Sequence, residues 1–306
     1  DVARELQLCQ EHQLQLVVYG DPEYPQLLTE IPDAPPLLFA RGRLAPQDGV
    51  AIAIVGSRHA TGYGKTVAER LASGLARAGF TIVSGLARGI DAAAHRGALD
   101  AGGRTIAVLA SGVLSIYPPE HDGLANEVAS SGAVVSEHPP LAKPLAGTFP
   151  QRNRIITGLC LGVIVVEATQ RSGALISARH AMEQNREVFA VPGRIDQRTS
   201  QGCHRLIRDG ARLVESVDDV LEELGPLAEA AVVGEGDSQR TLRHPAELKL
   251  NDQERKVLDA IELAPTSIDR VAESSGLPIG RVLSTISVLE VRKLVARVSG
   301  SQVQRR

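Results

Sequence analysis

Tryptophan is absent, and aromatic residues make up only 3% of the 306 residues. That scarcity argues against a binding surface made of rows of stacking rings. Cysteine occurs three times, at Cys9, Cys160 and Cys203. An odd number so widely spaced offers neither a disulfide framework nor zinc-ligand spacing, which fits a reducing, cytoplasmic setting with no metal. No apolar run approaches the roughly 18–20 residues a membrane span requires, so no membrane partner is expected. The opening stretch Asp1-Val2-Ala3-Arg4-Glu5 has no secretory core, and its lack of an initiator Met is expected of a fragment or a processed chain. Lys and Arg are missing between Leu213 and Gln239, where eight acidic residues stand. Against an overall formal charge of −3, those eight leave the remainder at +5, enough for a local basic groove.

Hydrophobic residues at 43% and charged residues at 23% describe an ordinary globular chain. Residues 1–49 read as a Pro-rich lead-in without clean periodicity. From Val50 the pattern changes to continuous apolar, partly β-branched runs: Val50–Val55, Phe80–Ser84, Thr105–Leu109, Ala133–Ser136, Leu161–Val166 and Val188–Val191. Such runs separated by helical stretches are what a parallel sheet covered on both faces requires. Val67, Leu71, Leu75 and Ala78 share one face of the first crossover helix, which Gly79 ends. The expected fold is therefore α/β, a doubly wound, mostly parallel Rossmann-like sheet over residues 50–225. A helix near Val217–Leu224 closes it, followed by a linker over 226–244. Residues 245–306 then predict three helices (around Val257–Ile261, Ser267–Ser275 and Ile279–Leu289) and a strand at Leu294–Val298. That order suits a small winged-helix-like domain, or a small helical dimerisation or capping module. Its ten Lys/Arg against eight Asp/Glu give thin support for DNA contact.

Three turns at predicted strand ends and one predicted helix start carry the chemistry. The first runs Gly56-Ser57-Arg58-His59-Ala60-Thr61-Gly62-Tyr63-Gly64-Lys65. A glycine directly after a buried strand lets backbone approach an anion, and a helix N-terminus follows. Arg58 is either a planar cationic donor to that anion or a solvent-facing residue of a tight turn. The dinucleotide fingerprint is absent, and Gly64-Lys65-Thr66 only imitates a phosphate loop, since His59 stands where its first glycine belongs. The second turn, Ser84-Gly85-Leu86-Ala87-Arg88-Gly89-Ile90-Asp91, brackets Arg88 with glycines. Asp91 is expected to cap the next helix, and His95 one turn on to lie on that helix's surface. The third, Phe149-Pro150-Gln151-Arg152-Asn153-Arg154, puts two Arg around an Asn; two residues apart, both reach one groove only at a bend or a first helical turn. In the fourth, after Glu167, Ser172 and Gly173 open a helix as an anion site or a plain cap. No turn supplies an evident nucleophile–base pair, which suits phosphate binding better than bond breaking.

In order, these segments resemble the DprA/Smf family, as do Asp21-Pro22-Glu23-Tyr24-Pro25, Tyr117-Pro118, Ser136-Glu137-His138-Pro139 and Val188–Gly193. The resemblance covers about Tyr19–Leu224 and extends to a C-terminal winged helix. There Val291-Arg292-Lys293 replaces an expected glycine turn, and Val303 an expected aromatic. It implies a non-catalytic single-stranded-DNA-binding protein that dimerises through its Rossmann-like domain, uses no cofactor, and loads RecA recombinase during natural transformation. It places Gly56, Ser57, Arg58, Gly85, Arg88, Phe149, Arg152, Asn153, Arg154, Ser172 and Gly173 at a phosphate-binding site. It also implies that the lead-in, residues 1–49, is the remnant of an N-terminal region. The alternative is a nucleotide-phosphate hydrolase with Glu167 as its base. A transcription factor acting through the C-terminal domain is disfavoured, because Arg281 is the sole cation of its third predicted helix.

Overall fold

The apolar runs form the strands that their β-branched side chains favour. The computed structural model describes residues 2–233, 252–262, 264–291, 294–299 and 301–305. The chain divides into two units, Asp1–Leu242 and Arg243–Arg306. Six strands of the first unit match the expected runs: β3 (Ala51–Val55), β4 (Thr81–Ser84), β5 (Thr105–Val108), β6 (Ala133–Ser136), β7 (Gly162–Val165) and β8 (Glu187–Ala190). All six pair in parallel, in the order β6-β5-β4-β3-β7-β8. The chain thus builds outward from β3 to β6 and then returns to the other side of β3. Carboxyl-end loops diverge at that reversal, so a crevice opens between β3 and β7.

Alternation along each strand divides the apolar residues between two layers. Val55, Val83, Val108, Val135 and Val165 pack with Ile155 and Ile156 of α6 (Thr148–Gly158), Ala178 of α7 (Ala174–Glu183) and Leu206 of α8 (Gln201–Arg208). On the opposite face, Ala107 and Val134 meet Ala92 of α4 (Ile90–Asp100) and Val128 of α5 (Asp122–Ser131). Beside α4 lies α3 (Gly62–Arg77), whose Val67, Leu71 and Leu75 are buried as expected. No helix among the described residues is long and apolar enough to cross a membrane.

The lead-in is not set apart from this sheet. Its β1 (Gln15–Val18) and β2 (Leu37–Gly42) extend the sheet through antiparallel pairing of β2 with β6. The Asp48 carboxylate fastens it further, accepting from Arg104 (2.8 Å) and from the Thr81 hydroxyl (2.9 Å). At the other edge, β9 (Arg212–Leu213) adds a two-residue strand. The closing helix α9 runs Val217–Val233, well past the expected end near Leu224. Leu227, Ala228, Glu229, Ala230 and Ala231 are strong helix formers and outweigh the Gly225-Pro226 break. The expected linker therefore begins as helix, and its remainder from 234 lies outside the described residues.

His95, expected on a helix surface, is fully buried because α4 is packed on both flanks by α3 and α5. Its Nδ1 lies 2.7 Å from the Thr105 hydroxyl, which spends its own proton on the Ile82 carbonyl. Nδ1 therefore carries the proton, and Nε2 is a buried lone pair without a partner. Burial lowers the imidazole pKa to about 3, with His121 and Arg152 adding to the effect. The unfolded chain takes up this proton near the ordinary 6.5 and the folded chain does not. Stability from this group is therefore full above about pH 6.5 and is lost as pH falls toward 3. His95→Asn, whose amide replaces Nδ1–H, should flatten the pH dependence of the urea midpoint between about pH 5 and 7 by up to about 1.4 kcal/mol per pH unit. An unchanged slope would exclude this role.

In the second unit, helices Asp252–Asp259, Ile268–Ser275 and Ile279–Val291 precede a hairpin of Val295–Ser299 with Gln302–Arg305. The Ser267 hydroxyl caps the second helix at the Arg270 N–H, and Gly276 ends it with a positive φ of 66°. Val257, Leu258, Val271, Val282, Ile286 and Leu289 form its core, and Val303 is buried there in place of the expected aromatic. Of the turn expected to depart from the family pattern, Arg292 and Lys293 lie outside the described residues.

Candidate nucleic-acid interface

The turns after β3, β4 and β7 meet the first half of α6 at the crevice beside the chain reversal. They enclose a cleft of about 420 Å³ lined by Gly56, Ser57, Arg58, Asp91, Phe149, Arg152, Asn153, Ser172, Gly173 and Ser177, among others. The turns touch closely enough that several positions admit no side chain. A Cβ on Gly56 would lie 2.5 Å from Ile90 Cγ1, and one on Gly85 would lie 2.5 Å from the Arg152 guanidinium. Gly89 has a φ of 80°, and its Cβ would fall 2.2 Å from the Ser57 carbonyl oxygen. That carbonyl accepts the Ile90 N–H at 3.2 Å, which joins the first turn to the start of α4. Gly89→Ala should therefore cost about 1–3 kcal/mol in a urea melt, through strain and overpacking. It should also weaken any ligand held by Arg58, because the clash pushes the two turns apart. A wild-type midpoint would contradict this contact.

Arg152 forms the floor. It is 4% exposed, and its Nη1 donates to the carbonyls of Gly85 (2.8 Å) and Val108. Burial lowers its pKa to about 10, against the pull of Asp91, so it remains a cation at neutral pH. Asp91 does not cap its own helix, whose cap is Gly89. Its carboxylate instead accepts from the Gly85 and Ala87 N–H groups at 3.2 and 3.3 Å, pinning the second turn. Burial raises the Asp91 carboxyl, while Arg152 and the Ala87 N–H oppose that shift.

Arg58 forms the rim. Its guanidinium is exposed and lies over the Phe149 ring, 4.7 Å from the centroid. Phe149 meets Tyr117 edge-on, with ring centroids 5.8 Å apart. Asn153 donates to the Gly173 carbonyl (3.3 Å), and Ser172 accepts from the Ala174 N–H (3.3 Å) as the first turn of α7 forms. Ser172 thus accepts the first N–H of α7 while lining the cleft, the N-cap position itself being Gly173.

Two of the expected arginines are not brought into this cleft. Arg152 and Arg154 both lie inside α6, so a separation of two residues turns them about 200° apart. Arg154 points the other way, paired with Asp33 (2.8 Å) and Glu137 (2.6 Å). Arg88 is exposed outside the cleft lining and is bound to Glu120. Sequence reasoning also missed Tyr117 as the support of Phe149, and Asp91 as part of the floor. A single acid directly after a glycine-bracketed turn was the available signal for the second.

Glu167, the base required by a hydrolase, is 3% exposed and already committed. It accepts from the Thr61 N–H (2.9 Å) and hydroxyl (2.6 Å), with Gly64 packed against its carboxyl carbon. All three cysteines are buried, and burial raises the Cys160 and Cys203 thiols away from reactivity. Among the described residues no cluster of three His, Cys, Asp or Glu side chains is arranged to hold a metal.

The chain as a whole matches a described family. A family model for DNA recombination-mediator protein A matches residues 15–225, and one for the DprA winged helix domain matches residues 242–301. The chain belongs to the DprA family. Protein Smf of Synechocystis is 37% identical over 333 residues, spanning 98% of this chain and 83% of the relative. The DNA processing protein DprA of Streptococcus pneumoniae is 49% identical over 200 residues, spanning 65% of this chain and 71% of the relative. An X-ray structure of Streptococcus pneumoniae DprA superposes with a TM-score of 0.68 at 46% identity, covering 73% of this chain and 78% of that one. The DprA of Helicobacter pylori, described for its single-stranded DNA binding mode, superposes at 0.63 with 29% identity, covering 70% and 98%. The DprA fold, a mostly parallel α/β sheet followed by a winged helix, is thus the fold of this chain.

Proposed function

We propose that this chain binds single-stranded DNA in the cleft between the β3, β4 and β7 turns, without catalysis, and delivers the strand to a recombinase. Family membership supports the mediator role, and the family resemblance names RecA as the recipient during natural transformation, in the cytoplasm, with the mediator acting as a homodimer. The observation that carries the site is Arg58, an exposed cation at the mouth of a cleft floored by the buried cation Arg152. A phosphate entering there meets a charged rim, backbone turns opened by glycine, and the first turn of α7. Gly56, Ser57, Gly85, Asn153, Ser172 and Gly173 shape that path, and Phe149 offers a ring at the rim to an unstacked base. Because the backbone is read, affinity should be tolerant of sequence and should fall with salt. Glu167 is spent on Thr61, which leaves the nucleotide-hydrolase reading without its base.

The test is a titration of labelled oligo-dT against the matching duplex across a salt series, with nucleoside monophosphates assayed alongside. Preference for the single strand, a slope of about −0.7 in log K per log salt for each phosphate held, and no hydrolysis are expected. Equal affinity for duplex, or turnover of a monophosphate, would overturn the reading.

A further inference from the structure

The charge around the cleft is lopsided. Toward β6 the cations are neutralised: Arg88 by Glu120, and Arg154 by Asp33 and Glu137, which leaves Lys143 in the segment before α6. Toward β8 the balance reverses. Arg171 and Arg198 are exposed, and neither has an acidic partner among the described residues. The two acids of those loops are occupied elsewhere, Glu167 by Thr61 and Asp196 by Arg194.

The two arginines are also carried by one anchored surface. Arg171 immediately precedes Ser172, which lines the cleft. Arg198 opens the short turn Arg198–Ser200, and the Thr199 carbonyl accepts the Ala168 N–H at 2.7 Å. The Ala168 carbonyl in turn accepts the Gly202 N–H at 2.8 Å, so the β8 loop is fastened to the β7 loop on both sides. Tyr63, in the first turn of α3, reaches the Pro192 carbonyl at 3.4 Å. Between Arg194 and Arg198, Ile195 is 91% exposed, higher than any other large apolar side chain among the described residues.

We propose that a bound strand leaves the cleft over β7 and β8, its next phosphates held by Arg171 and Arg198 and a base resting against Ile195. This rests on the cleft reading and gives it a direction: one end of the strand is led along a basic track, while the other emerges over neutralised ion pairs. Neighbouring strands are about 4.8 Å apart, so two strand steps beyond β3 place this track within a few nucleotides of Arg58. A flexible single strand follows such a path, whereas a duplex is too stiff to bend into the cleft and over the track together.

The experiment compares oligo-dT of about 6 and about 20 nucleotides, bracketing common single-strand site sizes, on the wild type, Arg58→Ala and the double variant Arg171→Ala/Arg198→Ala. The double variant should hold the short strand as the wild type does. It should lose about tenfold or more on the long strand, with the salt slope shallower by about 1.4, or 0.7 for each phosphate released. Arg58→Ala should weaken both lengths. If the double variant matches the wild type on both lengths while Arg58→Ala fails, the track is refuted and the cleft stands. If the double variant weakens both lengths equally, the arginines belong to the cleft itself and the track is again refuted. Wild-type binding by Arg58→Ala at both lengths would overturn the cleft reading instead.

Discussion

Arg58→Ala should bind oligo-dT roughly 10- to 150-fold more weakly than the wild type, the equivalent of losing about 1.5–3 kcal/mol of charge-assisted hydrogen bonding. The salt slope should become shallower by about 0.7, the release of one phosphate contact. Stability should hardly move, within about 0.5 kcal/mol, because the side chain is exposed and its contact with Phe149 contributes little there. Arg58→Lys should fall between the two, since an ammonium keeps the charge but loses the planar fork. Titration with a fluorescent strand across a salt series measures the affinities and the slope, and a urea melt measures the stability. An unchanged affinity would remove Arg58 from the site.

Arg152→Met should act in the opposite way, on the fold before the ligand. Arg152 is buried, its Nη1 bonded to the Gly85 and Val108 carbonyls, with its charge opposite Asp91. Removing it strands two acceptors and an uncompensated buried carboxylate, which should cost about 3–5 kcal/mol. For a unit of this size that corresponds to a melting temperature lower by about 10 °C. Raising the local acidity of the solution should partly rescue the variant, because a protonated Asp91 no longer needs a counter-charge. A urea midpoint within about 1 kcal/mol of wild type would show that Arg152 is dispensable to the floor. The two arginines thus separate binding from stability.

The contrast between them also marks what the sequence could reveal. Six strands were legible because each is buried on both faces and reads as an unbroken apolar run. β1 and β2 were not: β1 is a four-residue edge strand with a single buried side chain. β2, paired on both sides with Leu38, Phe39 and Ala40 buried, starts directly after Pro35-Pro36 inside a Pro-rich stretch. The switch point followed from chain order, and with it the set of turns that form the cleft. Which arginine faces inward did not. Arg152 and Arg154 separate only once α6 is known to be helical through both, and Arg88 is diverted by Glu120, a partner 32 residues away. His95 shows the same limit, for its burial is imposed by two neighbouring helices and not by its own small-residue surroundings.

Amide hydrogen exchange with and without saturating oligo-dT locates the bound strand on the molecule. Protection is predicted at the turn 56–61, at 85–89, across the first half of α6 and at 171–177. Protection confined to the C-terminal unit, or to the opposite, amino-terminal edge of the sheet, would contradict the account.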